Sequence, residues 1–314
     1  MDSKTQPETL VFGPRAADET LCSALDAFLA GQNREALVHS DPVELVRVYQ
    51  DPHDQEVAGL FVASLAYGRV ASIRAAASRV LAALGDRPAR AIDAGRFVGL
   101  EGFVYRFQRD DDMPALARAI RGVRAEFGSL GSALLALDPG GADYAAALDR
   151  WVETLRARGQ RTSRGFEFLL PRVNAGAAKR LWLYLRWMIR AEDGIDLGTW
   201  RTFGSFDPGR LLVPIDTHVQ RIARYVGLTD RASSDLVMAR EVTGNLARLR
   251  PGDPVAYDMA LCHLGVSGSC PRRRDPVRCV GCPIRAICRL GEPPLAAPAS
   301  KEPSKRSSRR SPSK

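Results

Sequence analysis

Two side chains with reactive chemistry stand near the middle of the sequence, within the stretch from Leu170 to Gly227: the amine of Lys179 and the carboxylate of Asp216. Asp216 follows Pro214 and an isoleucine, a pair biased toward extended backbone, and it precedes an apolar stripe at helical spacing. This pattern predicts a helix N-cap at Asp216, whose carboxylate accepts hydrogen bonds from the first free amides and so stays ionised and fixed in direction. The stripe consists of Val219, Ile222, Ala223 and Val226.

Lys179 opens a second predicted helix, and its apolar residues form one continuous face. That face consists of Leu181, Leu185, Met188 and Ile189. Each of the two helix starts thus carries a group capable of chemistry. A simpler interpretation stays open, in which Asp216 is only a cap and Lys179 faces water.

Four of the six cysteines lie within nineteen residues, in the pattern Cys270-x8-Cys279-x2-Cys282-x5-Cys288. Disulfides are disfavoured inside a cell, and thiolates so close together repel one another unless a metal neutralises them. The spacing therefore predicts a metal site. A structural zinc site usually joins two close cysteine pairs, whereas only Cys279 and Cys282 form such a pair here. Of the other two cysteines, Cys262 lies in an apolar helical pattern and is predicted to be a small core residue.

The elements that must position these residues are predicted to be helices, because apolar residues recur at helical spacing and no segment shows strand alternation. The sequence therefore predicts an all-α fold, with residues 97–107 as a loop and 51–54 as a turn. The helix that starts near Glu56 is apolar nearly all round, which predicts burial, and is expected to end at Gly68. Helices are predicted at 18–30, 56–67, 70–84, 114–127, 129–137, 143–158, 233–248 and 254–264, with an irregular segment at 1–17 and a disordered basic tail at 291–314.

The net charge of +9 is concentrated in two places. Residues 265–290 carry six arginines against one aspartate, and residues 301–314 carry six lysines or arginines against one glutamate, so each stretch contributes +5. Two basic patches fit a phosphate backbone, although a solvated tail and solvated arginines are the simpler interpretation. No secretory signal and no apolar run long enough to span a membrane is visible, so we expect a cytoplasmic protein without a membrane partner.

The segment Pro214-Ile-Asp-Thr-His-Val-Gln-Arg221 resembles the one that follows the helix-hairpin-helix in the endonuclease III superfamily of DNA glycosylases. Residues 170–179 would then be the hairpin, although they offer one glycine, Gly176, where the family has two. More closely, Ala178-Lys-Arg-Leu followed by Leu185-Arg-Trp-Met188 resembles an uncharacterised bacterial branch of that superfamily. The resemblance covers residues 55–290 and implies a two-lobed helical DNA-glycosylase-like fold. Residues 55–227 would form a barrel lobe with the hairpin, and residues 18–54 with 228–290 would form a second lobe with the cysteine loop.

The resemblance implies a DNA base-excision repair glycosylase that acts on damaged duplex DNA as a monomer. Asp216 and Lys179 would be catalytic, with Lys179 as the Schiff-base amine of an abasic-site lyase. Desolvation and the positive end of its own helix would favour loss of the lysine proton. The cysteine loop resembles the family's [4Fe-4S] loop, with zinc as the alternative metal. The residues expected to contact nucleic acid are Arg69, Arg172, Gly176, His218, Arg272, Arg273, Arg274 and Arg278.

Several features leave alternatives open. The separation of 37 residues between Lys179 and Asp216 is about twice that of the family, so catalysis could be lost. A cluster-containing protein that binds nucleic acid without cutting it is therefore the competing function. Tyr67 and Arg69 would lie at the rim of the substrate cleft, or else Tyr67 packs in the core and Arg69 is a surface cap. His218 is expected to orient or pack rather than to bind a metal.

Overall fold

The computed structural model of the protein describes residues 12–290, and within them the regular structure is helical. Fourteen α-helices are joined by loops and short 3-10 turns, and these residues form no strand, only isolated bridges such as Phe12 with Leu290. The predicted all-α fold is therefore confirmed. The helices are α1 Asp18–Ala30, α2 Arg34–Ser40, α3 Glu44–Arg47, α4 Pro52–Ser64, α5 Val70–Leu84, α6 Pro88–Asp93, α7 Asp112–Phe127, α8 Leu130–Ala136, α9 Ala145–Gly159, α10 Arg164–Leu169, α11 Lys179–Ile189, α12 Thr217–Tyr225, α13 Leu236–Leu249 and α14 Asp258–Val266.

Helix α4 is buried nearly all round, as its sequence predicts. It begins earlier than expected, because residues 51–54 are a helix start rather than a turn. Asp51 caps the helix by accepting from the amide of His53, and Pro52 occupies the first turn, where its missing N–H costs nothing. It also ends earlier, at Ser64 rather than Gly68.

A carboxylate inside α4 ties several elements together. Glu56 is fully buried, and its Oε1 accepts from Arg124 Nη1 at 2.7 Å. Its Oε2 accepts from the amide of Leu130 at 2.9 Å and from the indole of Trp200 at 3.1 Å. The buried charge is therefore neutralised and hydrogen-bonded, which burial of a carboxylate requires.

Helix α11 lies directly on α4, which fixes the direction in which its first residue points. The Tyr184 hydroxyl donates to the Glu56 carbonyl at 2.9 Å. Gly59 allows the close approach, because a Cβ there would lie 3.0 Å from Met188 and 3.1 Å from Tyr184. This packing therefore holds α11, and Lys179 at its start, in a fixed position.

Helices α12 and α14 also pack closely together. A Cβ at Gly265 in α14 would lie 2.7 Å from the Cβ of His218 in α12, so the crossing depends on a residue without a side chain. Through this crossing, Asp216 at the start of α12 faces residues of α14.

The short helices α2, α3, α6 and α10 were not predicted, because four to seven residues span at most two turns and show no clear period. Helix α8 is equally short but was predicted, since Gly128 and Asp138 mark its ends. None of the helices in residues 12–290 is long and apolar enough to cross a membrane. The division into two lobes stays a prediction. The basic tail and residues 1–11 of the irregular N-terminal segment lie outside the described residues.

Candidate functional site

The two reactive groups singled out in the sequence meet in space. The Nζ atom of Lys179 lies 3.1 Å from Oδ2 of Asp216. The side chains keep 30% and 19% of their surface exposed, so the ion pair is half-buried and open to solvent on one side. An open groove of about 550 Å³, lined by residues that include Gly140, Asp143 and Arg240, contains neither residue.

The carboxylate of Asp216 is held in a single orientation because its two oxygens have different partners. Oδ1 accepts from the amides of His218 and Val219, each at 2.8 Å, which confirms the predicted N-cap of α12. Oδ2 faces Lys179. One oxygen therefore serves the helix and leaves the other free to interact with the amine.

The two groups hold each other in the charged state. Burial is the largest single influence and lowers the pKa of Lys179, but the charge and hydrogen bond of Asp216, together with the other acidic groups nearby, outweigh it and raise the pKa of the ammonium above its ordinary value. Burial also opposes ionisation of Asp216, but the charge of Lys179 and the capping amides outweigh it and lower the pKa of the carboxyl. Desolvation thus favours loss of the lysine proton, as expected, but the carboxylate at 3.1 Å, which the expectation did not include, keeps the amine protonated in the resting pair.

The backbone before the amine is in a left-handed conformation. Ala178, the residue that precedes α11, has φ 44° and ψ 35°. For a residue other than glycine, the left-handed conformation costs about 1–2 kcal/mol of strain. The first turn of α11, and Lys179 with it, is thus held in place by the surrounding packing.

Helix α14 supplies neighbours of the pair that the sequence did not reveal. The Cys262 thiol lies 3.9 Å from Asp216 Oδ2, and burial raises its pKa, so it stays a neutral thiol. Four residues earlier, Asp258 is buried and pairs with Arg186 of α11 at 2.5 Å. Burial raises the pKa of Asp258 to about 6 despite this partner. The i, i+4 spacing of an aspartate and a cysteine on one face of a mostly apolar helix was the available signal.

Four other residues predicted to contact nucleic acid lie on three different segments of the chain. His218 lies in the first turn of α12 and packs against Gly265, which fits its expected packing role. Arg172 is exposed in the link between α10 and α11, and Gly176 in the same link has extended backbone. Arg69 is exposed and precedes α5 without a side-chain capping bond.

Tyr67 is half-buried rather than in the core. Its hydroxyl donates to the side chain of Gln108, and its ring belongs to an aromatic group with Tyr105, Phe107 and Phe168. The segment 97–107, predicted as a loop, provides part of this group.

The four clustered cysteines line a common small cavity. Burial raises the pKa of the Cys270 thiol to about 11, and the other three sulfurs are close enough to add to that effect. The amide of Asp275 points at Cys279 Sγ at 3.4 Å. The lining therefore offers four sulfurs and a backbone donor, which is the chemistry that a thiolate-bound metal centre needs.

Within residues 12–290, no group of three or more His, Cys, Asp or Glu side chains is arranged to hold a metal ion.

The cysteine loop is fixed to α12. The Tyr225 hydroxyl donates to the Arg272 carbonyl at 2.9 Å, and the Tyr225 carbonyl accepts from the Arg289 amide at 2.7 Å. The side chains of Arg272, Arg273 and Arg278 are exposed, whereas Arg274 is half-buried and donates to the Leu290 carbonyl. The loop thus carries several cations on the outside and sulfurs on the inside.

No curated protein and no solved structure matches this chain. A family profile described as "Protein of unknown function (DUF2400)" matches residues 41–267 and gives no sign of the endonuclease III superfamily, so the family assignment drawn from short segments is wrong. Both segments coincide with helix starts, and at the second, α12, capping alone favours an aspartate such as Asp216. Since the match spans most of the sequence, the chain belongs to the DUF2400 family.

Proposed function

We propose that this protein is a DNA base-excision repair glycosylase with abasic-site lyase activity through Lys179. The observation that carries the proposal is the half-buried, solvent-accessible pair of Lys179 and Asp216, with 3.1 Å between amine and carboxylate. An amine and a fixed carboxylate side by side are the groups that cleavage of an N-glycosidic bond through a Schiff base requires. The proposal rests on this chemistry and not on family membership.

The charge state of the pair defines how it would act. Lys179 rests as an ammonium, so it must lose a proton before it can attack. Asp216 Oδ2, at hydrogen-bond distance, is placed to accept that proton as the amine approaches the sugar. The amine nitrogen then forms a bond to C1′, and the base leaves with the electrons of the glycosidic bond and takes up the proton that Asp216 received, so that Asp216 is ionised again.

The later steps would use the same two groups. Opening of the sugar ring gives a Schiff base between Lys179 and C1′, and removal of a proton from C2′ then expels the 3′ phosphate, which cuts the strand. Asp216, again ionised, would stabilise the positive charge on the iminium nitrogen. The target nucleotide must leave the duplex first, because its C1′ is inaccessible in the stack.

We propose that the link between α10 and α11 acts as a helix-hairpin-helix-like grip on a phosphate within a DNA-glycosylase-like fold. The exposed Arg172 and the extended backbone at Gly176 support a close approach of DNA at this link. The exposed arginines of the cysteine loop would hold a second phosphate.

We propose further that Cys270, Cys279, Cys282 and Cys288 hold a [4Fe-4S] cluster, with zinc as the alternative. The cavity that the four cysteines line together supports a common metal centre, and their spacing, with only one close pair, favours the cluster. When bound, the cluster would supply structural rigidity, and the chain's own residues would present Arg272, Arg273 and Arg278 toward phosphates. Iron and sulfide analysis of anaerobically purified protein decides between the metals, and zinc without iron would refute the cluster.

Borohydride trapping on duplex DNA with an abasic site tests the enzymatic proposal. We expect wild-type protein to form a covalent adduct and Lys179→Ala to form none. Lys179→Arg is the matched control, because it keeps the positive charge beside Asp216 but has no amine of ordinary nucleophilicity. It should still bind the DNA and give no adduct.

The ion pair with Asp216, which keeps Lys179 protonated, favours a second candidate, a cluster-containing protein that binds nucleic acid without cutting it. In that case the ammonium contacts a phosphate and never attacks. Such a protein would shift the abasic duplex in a gel, leave it intact, and give no adduct in either the wild type or the variants.

A further inference from the structure

An aromatic cluster of four rings lies beside α11 and reaches the surface. It consists of Tyr67, Tyr105, Phe107 and Phe168. Tyr67 and Phe107 are stacked at 5.9 Å with 19° between their planes, and the centroids of Phe107 and Phe168 lie 4.7 Å apart. Phe107 nevertheless keeps 46% of its surface exposed. A ring that stays exposed although it packs against other rings indicates a surface that can bind a flat, apolar group of a ligand.

The exposure of Phe107 does not come from a loosely held chain. The next residue, Gln108, is fully buried and donates to the Gly165 carbonyl at 3.2 Å. The Tyr105 hydroxyl donates to the Tyr67 carbonyl at 2.7 Å. Both flanks of Phe107 are therefore anchored, and the ring between them is presented to solvent on a fixed backbone.

The backbone on the other side of Phe107 is strained. Arg106 has φ 49°, a left-handed conformation that residues other than glycine rarely adopt. This conformation carries its guanidinium over the Tyr67 ring, at 5.7 Å from the centroid. An exposed cation thus stands beside the exposed ring.

A second arginine packs against the cluster and is buried. Arg180 is 8% exposed and lies over the rings of Phe168 and Tyr67, at 4.2 Å and 5.2 Å. Its hydrogen bonds go to backbone carbonyls, and among residues 12–290 no carboxylate forms an ion pair with it. Burial lowers the pKa of Arg180 to about 10, so the side chain is still charged at neutral pH. The cluster therefore carries positive charge that nothing in the described chain neutralises, which favours a ligand with both a ring and an anion.

The aromatic cluster contacts the helix that begins at Lys179. Arg180 immediately follows Lys179 in the first turn of α11, and it donates to carbonyls of Ser64 and Phe168. The helix that begins at Lys179 therefore also holds the cluster in place, through Arg180.

We propose that the aromatic cluster is a stacking site for an unpaired nucleobase of DNA, with Phe107 as the platform and Arg106 as the contact for the adjoining phosphate. A base offers a flat π face to Phe107, and its phosphate supplies the anion that Arg106 and Arg180 lack. The identity of the ligand rests on the proposed function, because only that function makes DNA the partner.

Equilibrium binding of two single-stranded hexadeoxynucleotides tests the site, one with bases and one with the same phosphates but no bases. The proteins are the full-length wild type, Phe107→Ala, Phe107→Tyr and Val104→Ala, a control for the loss of an exposed apolar side chain from the same loop. We expect Phe107→Ala to bind the base-bearing strand about 5- to 100-fold more weakly and the base-free strand unchanged. Phe107→Tyr and Val104→Ala should bind both strands like the wild type.

Three outcomes would overturn the stacking site. In the first, wild-type protein binds the two strands equally. In the second, Phe107→Ala weakens both strands to the same degree, which indicates a general surface contact. In the third, Phe107→Ala has no effect, as expected if the ring covers a protein partner instead. Borohydride trapping, measured separately, distinguishes the two proposals: base-dependent binding lost in Phe107→Ala without any trapping would support the stacking site and refute the lyase.

Discussion

Lys179 and Asp216 should be energetically coupled, and their coupling can be measured by a double-mutant cycle in Lys179→Met, Asp216→Asn and the variant with both changes. Methionine keeps the length of the lysine side chain without its charge. Asparagine keeps an oxygen that can cap α12, so the amides of His218 and Val219 stay satisfied. Each single variant therefore removes one charge and leaves its partner half-buried and unpaired.

The expected size follows from the geometry. Two unit charges 3.1 Å apart attract by about 5 kcal/mol at an effective dielectric constant of about 20. Exposure of 30% and 19% of the two side chains admits solvent screening, and each charge also loses hydration on folding. We therefore expect a coupling energy of about 2 kcal/mol, with the double variant more stable than the two single losses would give if they added.

Urea unfolding at pH 7 and fixed temperature measures the four free energies of unfolding. Asp216→Ala is an informative fifth protein, because it also removes the cap and should lose about 1 kcal/mol more than Asp216→Asn. A coupling energy below about 0.5 kcal/mol, the limit of additivity for independent sites, would show that the two charges do not interact as described.

Three further predictions follow from the packing and charge of the described residues. Gly265→Ala should destabilise the protein by about 1–3 kcal/mol because the added Cβ would meet His218. The control Gly244→Ala in α13, where a Cβ meets nothing within 4 Å, should be neutral or stabilising. Equal effects of the two variants in urea unfolding would refute the close helix crossing. Glu56→Ala should lower the free energy of unfolding by about 3–5 kcal/mol, because it leaves Arg124 and the buried donors of Leu130 and Trp200 unpaired. A midpoint of thermal unfolding within 1 °C of the wild type would contradict this. Because the pKa of Asp216 is lowered in the folded protein, its contribution to stability is present above the ordinary value of 3.8 and is lost as the pH falls below it. The difference in unfolding free energy between wild type and Asp216→Asn should therefore shrink below pH 4, and a difference that grew on acidification would have the wrong sign.

The helical fold was predictable because its signals are local. The stripe after Asp216 and the apolar run of α4 each depend on residues a few positions apart, and both helices form as expected. The start of α4 was misjudged because Asp51 and Pro52 occur both in turns and in capped helix starts, and sequence alone does not separate the two.

The candidate site was predictable only in part, since it depends on contacts between distant residues. Lys179 and Asp216 were singled out by type and position, but the protonation of the amine depends on a carboxylate 37 residues away. Cys262 was assigned to the core because its helix is apolar, and only the crossing at Gly265 brings its thiol to Asp216. The aromatic cluster joins residues from three separate segments, and no pattern in any one of them indicates it.

The proposed function requires that the amine of Lys179 form a bond to the sugar while Asp216 accepts its proton. Mass spectrometry of the borohydride-reduced complex, after nuclease and protease digestion, measures this directly. We expect a deoxyribose-derived mass increment on the peptide that contains Lys179, with strong loss of adduct in Asp216→Asn. An increment on any other amine, or undiminished adduct in the Asp216→Asn variant, would contradict it.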